Sequence, residues 1–370
     1  MRVLLLTIEY PPHLIGGLGT HTADLSMALA AAGHEVDVVT VDPRSTSPSV
    51  EARGRVRVHR GVCSPYPKTW EQVVPCANIA MERVVYEMDQ RRYQIIHMHE
   101  RSSLFSAQTA ARRFSVPVVY TAHSVVPKPR HDGDRAFDLA LEAGSLSLAA
   151  CTMGVSTWVC EQLAQRYHGQ HLEAVPNGVF PNLFAPTVPV RVPGESMVFV
   201  GRLVRRKGLH CLLTALVGLE RRVPGWSLRV LGDGPERAVL ERMAQELGIG
   251  PRVHFCGQVG RPEVAAALDE ADLGVFPSLV EPFGIVVIEA MAHGVPVVTS
   301  DRSGIARIFT PGEHGWQADV EDPECFADSL VDALTSPSRP FRAAAALDLV
   351  RDRYTWDRVA AQIVRVYESV

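Results

Sequence analysis

The stretch SLVEPFGIVVIEAMAHGVPVV (278–298) determines how the second half of this chain is interpreted. It opens with Glu-Pro-Phe-Gly, where a proline and a glycine indicate a loop. An apolar run with helical spacing follows from Ile285 to Met291 and stops at Gly294. The VPVVTS that comes next has the composition of a buried strand. The order loop, helix, strand is typical of a parallel α/β sheet.

Two carboxylates frame this helix start. Glu281 falls in the loop and Glu289 about one turn inside the helix, while Gly284 between them lets a ligand approach the backbone. The first N–H groups of a helix have no partner within the helix and favour an anion. Carboxylates repel phosphate but accept hydrogen bonds from sugar hydroxyls. A ligand with a central diphosphate and a sugar at each end, such as a nucleotide sugar, fits all three features.

Strand-like runs alternate with helical patterns along the whole chain, which predicts two successive doubly wound Rossmann-like α/β domains. The proline-rich PNLFAPTVPVRVPG predicts a linker. We therefore expect an N-terminal domain over 1–185 and a C-terminal domain over 195–354. Ligands of open α/β sheets bind beyond the carboxyl ends of the strands, so two facing sheets would form a central cleft. The expected strands are 3–7, 34–40, 95–99, 116–123, 197–203, 227–232, 252–257, 273–278 and 295–300.

Composition narrows the class of protein. The chain has 370 residues, of which 46% are hydrophobic and 21% charged, as in globular proteins. A net charge of −4 without a basic stripe disfavours nucleic acid as a partner. Seven scattered cysteines without a CxxC pair indicate reduced thiols in a cytoplasm. No apolar run approaches the roughly 20 residues of a membrane span.

A second candidate anion site is GRLVRRKG (201–208), which follows an expected strand. Arg202 and Lys207 can both reach one anion from this strand end, and Lys207 is notable because the chain has only three lysines. Arg205 and Arg206 are expected to face solvent. The following LGDGPER (231–237) predicts a tight turn with Asp233 as a helix N-cap.

The N-terminal half offers candidates at three strand ends. Gly16, Gly17 and Gly19 are expected to form a loop that opens the first helix, where the backbone can approach a phosphate. TAHS (121–124) places His123 directly after a strand, and IIHMHE (95–100) does the same for His99 and Glu100.

The segment HDGD (131–134) contains Asp132 and Asp134 in a DxD pattern. It follows a proline-rich loop and not a nucleotide-binding strand, so we expect a solvated loop and no metal. With Asp138 and Glu142 these acids form an acidic run that we expect to help select a second substrate.

The segments around Gly16, His123, Arg202 and Glu281, in this order along the chain, resemble retaining glycosyltransferase family 4 with its E-x7-E signature and GT-B architecture. The resemblance covers nearly the whole chain. It implies that the final segment YTWDRVAAQIVRVYESV forms a helix, expected over 355–370, that crosses back onto the N-terminal domain. It also implies that the enzyme needs no metal and no other cofactor.

The resemblance further implies roles for individual residues. Arg202 and Lys207 would bind the diphosphate, Glu289 the ribose, and Glu281 and His123 the transferred sugar. Backbone groups are expected to contact the base and the sugar phosphate at Phe255, Cys256, Phe283, Gly284, Ile285 and Val286. Gly16 and Gly17 would approach the donor, and His99, Glu100, Asp132 and Asp134 the acceptor.

The expected reaction is transfer of a hexosyl or N-acetylhexosaminyl unit from a UDP- or GDP-linked donor to a hydroxyl, with retention. A soluble acceptor such as a cyclitol, small glycoside or antibiotic precursor is expected, because the helical segment 78–94 mixes acids and bases and is not a basic membrane-binding face. A lipid-linked or polysaccharide acceptor, a nucleotide-sugar epimerase and a phosphorylase with pyridoxal phosphate remain alternatives on the same fold. A dinucleotide-dependent oxidoreductase would need a G-x-G-x-x-G between strand and helix, which neither half contains. A non-catalytic nucleotide-sugar-binding protein is a further alternative.

Overall fold

The computed structural model describes residues 1–13, 16–63, 67, 69–89, 92–127, 135–180, 182 and 195–370. These residues form two compact units, Met1–Asn177 with Trp356–Val370, and Gly178–Thr355. The division falls earlier than the boundary expected at residue 185, because Val179 already pairs with Thr355 and its N–H donates to the Tyr354 carbonyl. The greater part of the expected linker lies outside the described residues.

The first unit contains an eight-stranded sheet among its described residues, in the order β3-β4-β2-β1-β5-β6-β7-β8. All pairs are parallel except β3 with β4, which is a short antiparallel edge pair. Such an edge leaves few exposed backbone groups. The strands are β1 Arg2–Leu6, β2 Glu35–Asp42, β3 Ser49–Arg53, β4 Val56–Val62, β5 Ile95–His99, β6 Val118–Ala122, β7 Cys151–Gly154 and β8 Leu172–Ala174.

The central strands of this unit are buried on both faces, which explains their continuous apolar sequences. Leu4, Leu5 and Leu6 in β1 have no exposed surface. Helices connect the parallel strands, as crossovers of this length require. They are α1 Gly17–Ala31, α2 Trp70–Glu87, α3 Leu104–Phe114, α4 Ala136–Leu148 and α5 Thr157–Arg166.

The second unit contains a six-stranded parallel sheet in the order β11-β10-β9-β12-β13-β14, again counted over the described residues. Its strands are β9 Ser196–Val200, β10 Ser227–Leu231, β11 Val253–Gly257, β12 Leu273–Phe276, β13 Val297–Ser300 and β14 Trp316–Ala318. Its helices are α6 Leu209–Glu220, α7 Arg237–Glu246, α8 Arg261–Glu270, α9 Ile285–Ala292, α10 Pro323–Thr335 and α11 Arg339–Arg353. Fully buried Trp226 and Phe326 anchor its core.

The last helix, α12 Trp356–Glu368, belongs to the first unit. It is amphipathic, its apolar side chains are buried, and it packs against α1. Each large apolar side chain buried this way contributes about 1.5–3 kcal/mol. The buried residues are Trp356, Val359, Ala360, Ile363, Val366 and Tyr367.

The predicted fold class, two doubly wound Rossmann-like α/β units, is confirmed. The nine predicted strands coincide with β1, β2, β5, β6, β9, β10, β11, β12 and β13, with ends that differ by a few residues. Over the stretches that the structure describes, no helix combines the length and the apolar character needed to cross a bilayer.

Candidate functional site

The candidate donor site lies at the topological switch point of the second unit. From β9 the chain continues to β10 and β11 on one side, whereas β12, β13 and β14 lie on the other. The loops that follow β9 and β12 therefore leave neighbouring strand ends in the same direction. Ligands of open α/β sheets bind in this crevice.

Backbone contacts join these two loops. The Arg206 carbonyl accepts the N–H groups of Leu279 at 2.8 Å and Val280 at 3.3 Å. Gly208 has φ +73°, and a Cβ there would lie 1.8 Å from the Pro277 carbonyl oxygen. Only glycine fits both constraints, so the close approach of the loops depends on this residue.

The junction brings Lys207 and Glu281 together as an ion pair between Nζ and Oε2. Their side chains are 17% and 12% exposed, so the pair is shielded from solvent without being fully buried. The sequence predicted both residues in one site but not their direct contact. Arg202 is exposed, and its guanidinium contacts no partner within the described ranges. This guanidinium is thus available to an anion.

Helix α9 begins as the sequence predicts, with Glu281 in the preceding loop and Glu289 one turn inside. Gly284 caps the helix with φ +102°, a left-handed conformation that favours glycine. The Phe283 ring is buried and lies 5.8 Å from the Tyr354 ring, which fixes the loop. Ile285 and Val286 are half-buried at the start of the helix.

The structure adds Ser303, which the sequence did not single out. Its Oγ accepts the Glu281 N–H at 2.9 Å, and the N–H of Ile305 donates to the Glu281 carbonyl at 3.2 Å. Ser303 has φ +57° and ψ −155°, a region that a side chain rarely adopts. The serine is therefore held in a strained conformation while it fixes the Glu281 backbone. Only a contact across 22 residues of chain reveals this role.

The predicted base-binding segment forms β11 at the sheet edge. Phe255 is half-buried and Cys256 exposed. Both line a cavity of about 630 Å³ between this strand and α7. The predicted N-cap role of Asp233 is wrong, because Glu236 occupies that position and Asp233 accepts the Gly234 N–H at 2.7 Å.

The first unit has its own switch point, between β1 and β5. Gly16 caps α1 and donates its N–H to Glu9 Oε2 at 3.0 Å. The expected glycine loop is only partly correct. Gly17 is the first residue of α1 and Gly19 lies buried in its first turn, so these two glycines belong to the helix and not to the loop before it. Gly16 and Gly17 remain exposed at the helix tip.

His123 directly follows β6 and meets other histidines. Its Nε2 lies 3.3 Å from His99 Nδ1. His21 on α1 contacts the His123 ring edge-on, with ring centroids 4.5 Å apart. His97 stacks on His99 at 4.0 Å. The sequence predicted His99 and His123 but gave no signal that separated His21 from the other histidines of the chain.

Burial controls the charge of this cluster. Desolvation lowers the pKa of His21 to about 4, partly offset by its hydrogen bond with Asn177. Burial, together with neighbouring histidines, lowers the pKa values of His99 and His123 well below the usual range. The rings are therefore neutral near pH 7.

The Glu100 carboxylate holds the backbone of His123 in place by hydrogen bonds. Its Oε2 accepts the His123 N–H at 3.2 Å, and its Oε1 accepts the Ser124 hydroxyl at 3.3 Å and the Arg101 guanidinium. The residue has φ +61° and is buried. Burial raises the pKa of its carboxyl. These contacts make Glu100 a support for the loop after β6, with its carboxylate turned inward.

The predicted acceptor residues Asp132 and Asp134 lie outside the described residues. Their neighbour Asp138 accepts the Trp70 indole N–H at 2.8 Å. Glu142 is fully buried and accepts the Val126 N–H at 2.7 Å and the Arg166 guanidinium at 2.6 Å. The described part of the acidic run therefore holds the fold together.

Two groups in the described ranges have the donor types of a metal site. In the first, His21, His99 and His123 each offer a nitrogen, all within 4.8 Å of one another. In the second, Cys151, His171 and Glu173 offer a similar spacing, with His171 exposed. Neither group lies in the second unit.

Comparison with known proteins identifies the relatives. Residues 190–346 match the family described as "Glycosyl transferases group 1", and residues 15–183 match "Glycosyltransferase Family 4". The chain is 31% identical to a glycogen synthase of Mycobacterium tuberculosis over 99% of this chain and 94% of that protein. It is 29% identical to a D-inositol 3-phosphate glycosyltransferase of an Arthrobacter species, over 96% and 90% of the two chains. Among solved structures, sucrose-phosphate synthase from Thermosynechococcus elongatus superposes with a TM-score of 0.86 and 25% identity, covering 100% of this chain and 98% of that one.

Proposed function

Since the chain belongs to the GT-B glycosyltransferases of the group 1 and family 4 type, we propose that it transfers a hexosyl or N-acetylhexosaminyl unit from UDP or GDP to a hydroxyl of a soluble acceptor. The proposed reaction retains the configuration of the anomeric carbon. It uses the nucleotide sugar as co-substrate and requires no metal.

One observation carries the proposal: a cation, a carboxylate and a helix N-terminus converge at the switch point of the second sheet. Lys207 and Glu281 are in contact there, and Gly284 starts α9 beside them. A diphosphate is bound by the ammonium and the free N–H groups of the helix. The Glu281 carboxylate then accepts hydrogen bonds from the hydroxyls of the attached sugar.

The protein groups stabilise the leaving nucleoside diphosphate as the sugar bond breaks. Lys207 and Arg202 supply fixed positive charge where negative charge develops, an effect typically worth about 10²–10³ in kcat for each contact. Glu289 binds the ribose, and Glu281 contacts the transferred sugar. The acceptor hydroxyl attacks from the side of the leaving phosphate, which takes its proton. This route gives retention without a nucleophilic carboxylate on the far face.

A soluble acceptor agrees with the names of two relatives, one acting on D-inositol 3-phosphate and one a sucrose-phosphate synthase. It also agrees with α2, where exposed Arg83 pairs with Glu87 at 2.9 Å. A polysaccharide acceptor is the second candidate, because the chain is 31% identical to a glycogen synthase.

The test combines a donor screen with product analysis. Thermal shifts with UDP- and GDP-linked hexoses identify the donor, since a ligand that binds the folded state raises Tm. Mass spectrometry with the chosen donor and a panel of cyclitols, sugar phosphates, glucans and lipid-linked sugars identifies the acceptor. NMR of the product establishes its anomeric configuration.

Two outcomes would contradict the proposal. Conversion of the nucleotide sugar to its epimer without any acceptor would show an epimerase. An inverted anomeric carbon, or transfer only in the presence of a divalent cation, would refute retention or metal independence.

A further inference from the structure

The histidine cluster of the first unit has coordination capacity that its hydrogen bonds leave unused. His21 lies on α1, His97 and His99 on β5, and His123 directly after β6. Three of the four are buried, and His123 is half-buried. The elements that carry them converge at the carboxyl end of the sheet.

The hydrogen bond of His21 sets its tautomer. Its Nδ1 lies 2.5 Å from Asn177 Oδ1, an amide oxygen that can only accept. Nδ1 therefore carries the proton, and Nε2 of the neutral ring presents a lone pair. Nε2 is buried and has no hydrogen-bond partner among the described residues. Metal-binding histidines show this arrangement, in which one ring nitrogen donates to an oxygen and the other binds the ion.

His99 and His123 add two further nitrogens. His99 Nδ1 and His123 Nε2 are 3.3 Å apart, which is long for a hydrogen bond. This N···N distance is close to the spacing of about 3.3 Å expected between two nitrogens that bind the same tetrahedral zinc ion at about 2.0–2.1 Å. The other nitrogen of His99 is buried without a partner in the described parts of the chain.

His97 differs from its neighbours. Its Nδ1 contacts the Tyr367 hydroxyl and its Nε2 the Thr121 hydroxyl, each at 2.6 Å. With both nitrogens occupied, this ring cannot bind an ion without losing a buried hydrogen bond. It is a matched control within the same cluster.

We propose that His21, His99 and His123 form a binding site for a borderline-soft divalent ion, with Zn²⁺ as the best match. Three neutral imidazoles are a common ligand set for this ion. One ring nitrogen from each of His21, His99 and His123 lies within 4.8 Å of the other two, so small ring movements close the site. The half-buried side of His123 leaves the fourth position to water.

The test measures metal binding by the full chain, freed of any affinity tag and without nucleotide or sugar. The result is thus independent of the proposed glycosyl transfer. All proteins carry His171→Gln, which removes the second group of candidate ligands. Competition with a chromophoric chelator is expected to show one Zn²⁺ per chain. Co²⁺ is expected to give the visible absorption of a four-coordinate site.

Variants then assign the ligands. His99→Gln and His123→Gln are each expected to weaken Zn²⁺ binding by at least about 100-fold, and Asn177→Ala by about 10–100-fold through loss of the supporting hydrogen bond. His97→Gln is expected to keep the affinity of its parent. Circular dichroism checks that each variant folds. The Co²⁺ spectrum is measured on the parent protein, so this test does not depend on the folding of any cluster variant. Absence of stoichiometric binding, or equal affinity in His123→Gln and His97→Gln, would overturn the proposal.

Discussion

Glu281→Gln separates two functions that one carboxylate performs in the donor site. In the ligand-free protein Glu281 forms an ion pair with the ammonium of Lys207. We assign this ammonium to binding of the diphosphate. UDP carries the diphosphate but no transferred sugar, so for UDP this carboxylate is only a competitor. Removing its charge is expected to strengthen UDP binding and to slow sugar transfer.

The magnitude follows from the exposure of the pair. Exposed ion pairs are worth about 0–1 kcal/mol, whereas breaking a buried pair costs about 3–5 kcal/mol. Side chains that are 17% and 12% exposed lie between these limits, and about 1–2 kcal/mol is a reasonable value. This corresponds to a Kd for UDP that is about 5–30-fold lower. Loss of the carboxylate contact to the sugar is expected to reduce kcat by about 10²-fold.

Isothermal titration with UDP gives the Kd, and steady-state kinetics with the identified donor gives kcat. Lys207→Ala is expected to weaken UDP binding, and Glu246→Gln, an exposed residue at the end of α7, to leave it unchanged. The reasoning fails if Glu281→Gln binds UDP as weakly as Lys207→Ala, because the carboxylate would then assist the diphosphate.

Three further predictions concern single residues of the second unit. Arg202→Ala is expected to lower kcat by about 10²–10³, while the exposed Arg205→Ala keeps near wild-type turnover; equal rates of the two variants would refute the assignment. Gly208→Ala is expected to lower the free energy of unfolding in urea by more than about 2 kcal/mol, because its Cβ would lie 1.8 Å from a carbonyl oxygen. Gly248→Ala, at φ +74° with open space around it, is expected to lose only about 1–2 kcal/mol. Similar losses in the two variants would contradict the steric argument. Ser303→Gly is expected to be about 1–3 kcal/mol more stable than Ser303→Ala in the same measurement, since both lack the hydroxyl but only alanine keeps the strained φ of +57°; equal stability of the pair would show that no strain is stored there.

The sequence was sufficient wherever the signal is local. The apolar run of β1 and the break at Gly284 predicted a strand and a helix start, and both are found. Buried parallel strands and glycine-capped helices have compositions that few other structures share. Local patterns failed at Gly17, where a glycine read as loop opens the helix, and at Asp233, where the helix begins three residues later than the predicted cap implies.

Amino-acid order alone determined two doubly wound α/β units and a set of polar residues at strand ends, because periodicity and turn chemistry act over a few residues. Tertiary structure decided which of those residues meet. Lys207 contacts Glu281 across 74 residues, and His21 contacts Asn177 across 156. Such contacts depend on strand order and on the tilt of individual side chains, which no local pattern encodes. Hydrophobic burial specifies the layers, whereas the partners of each buried polar group follow from where the folded layers place them.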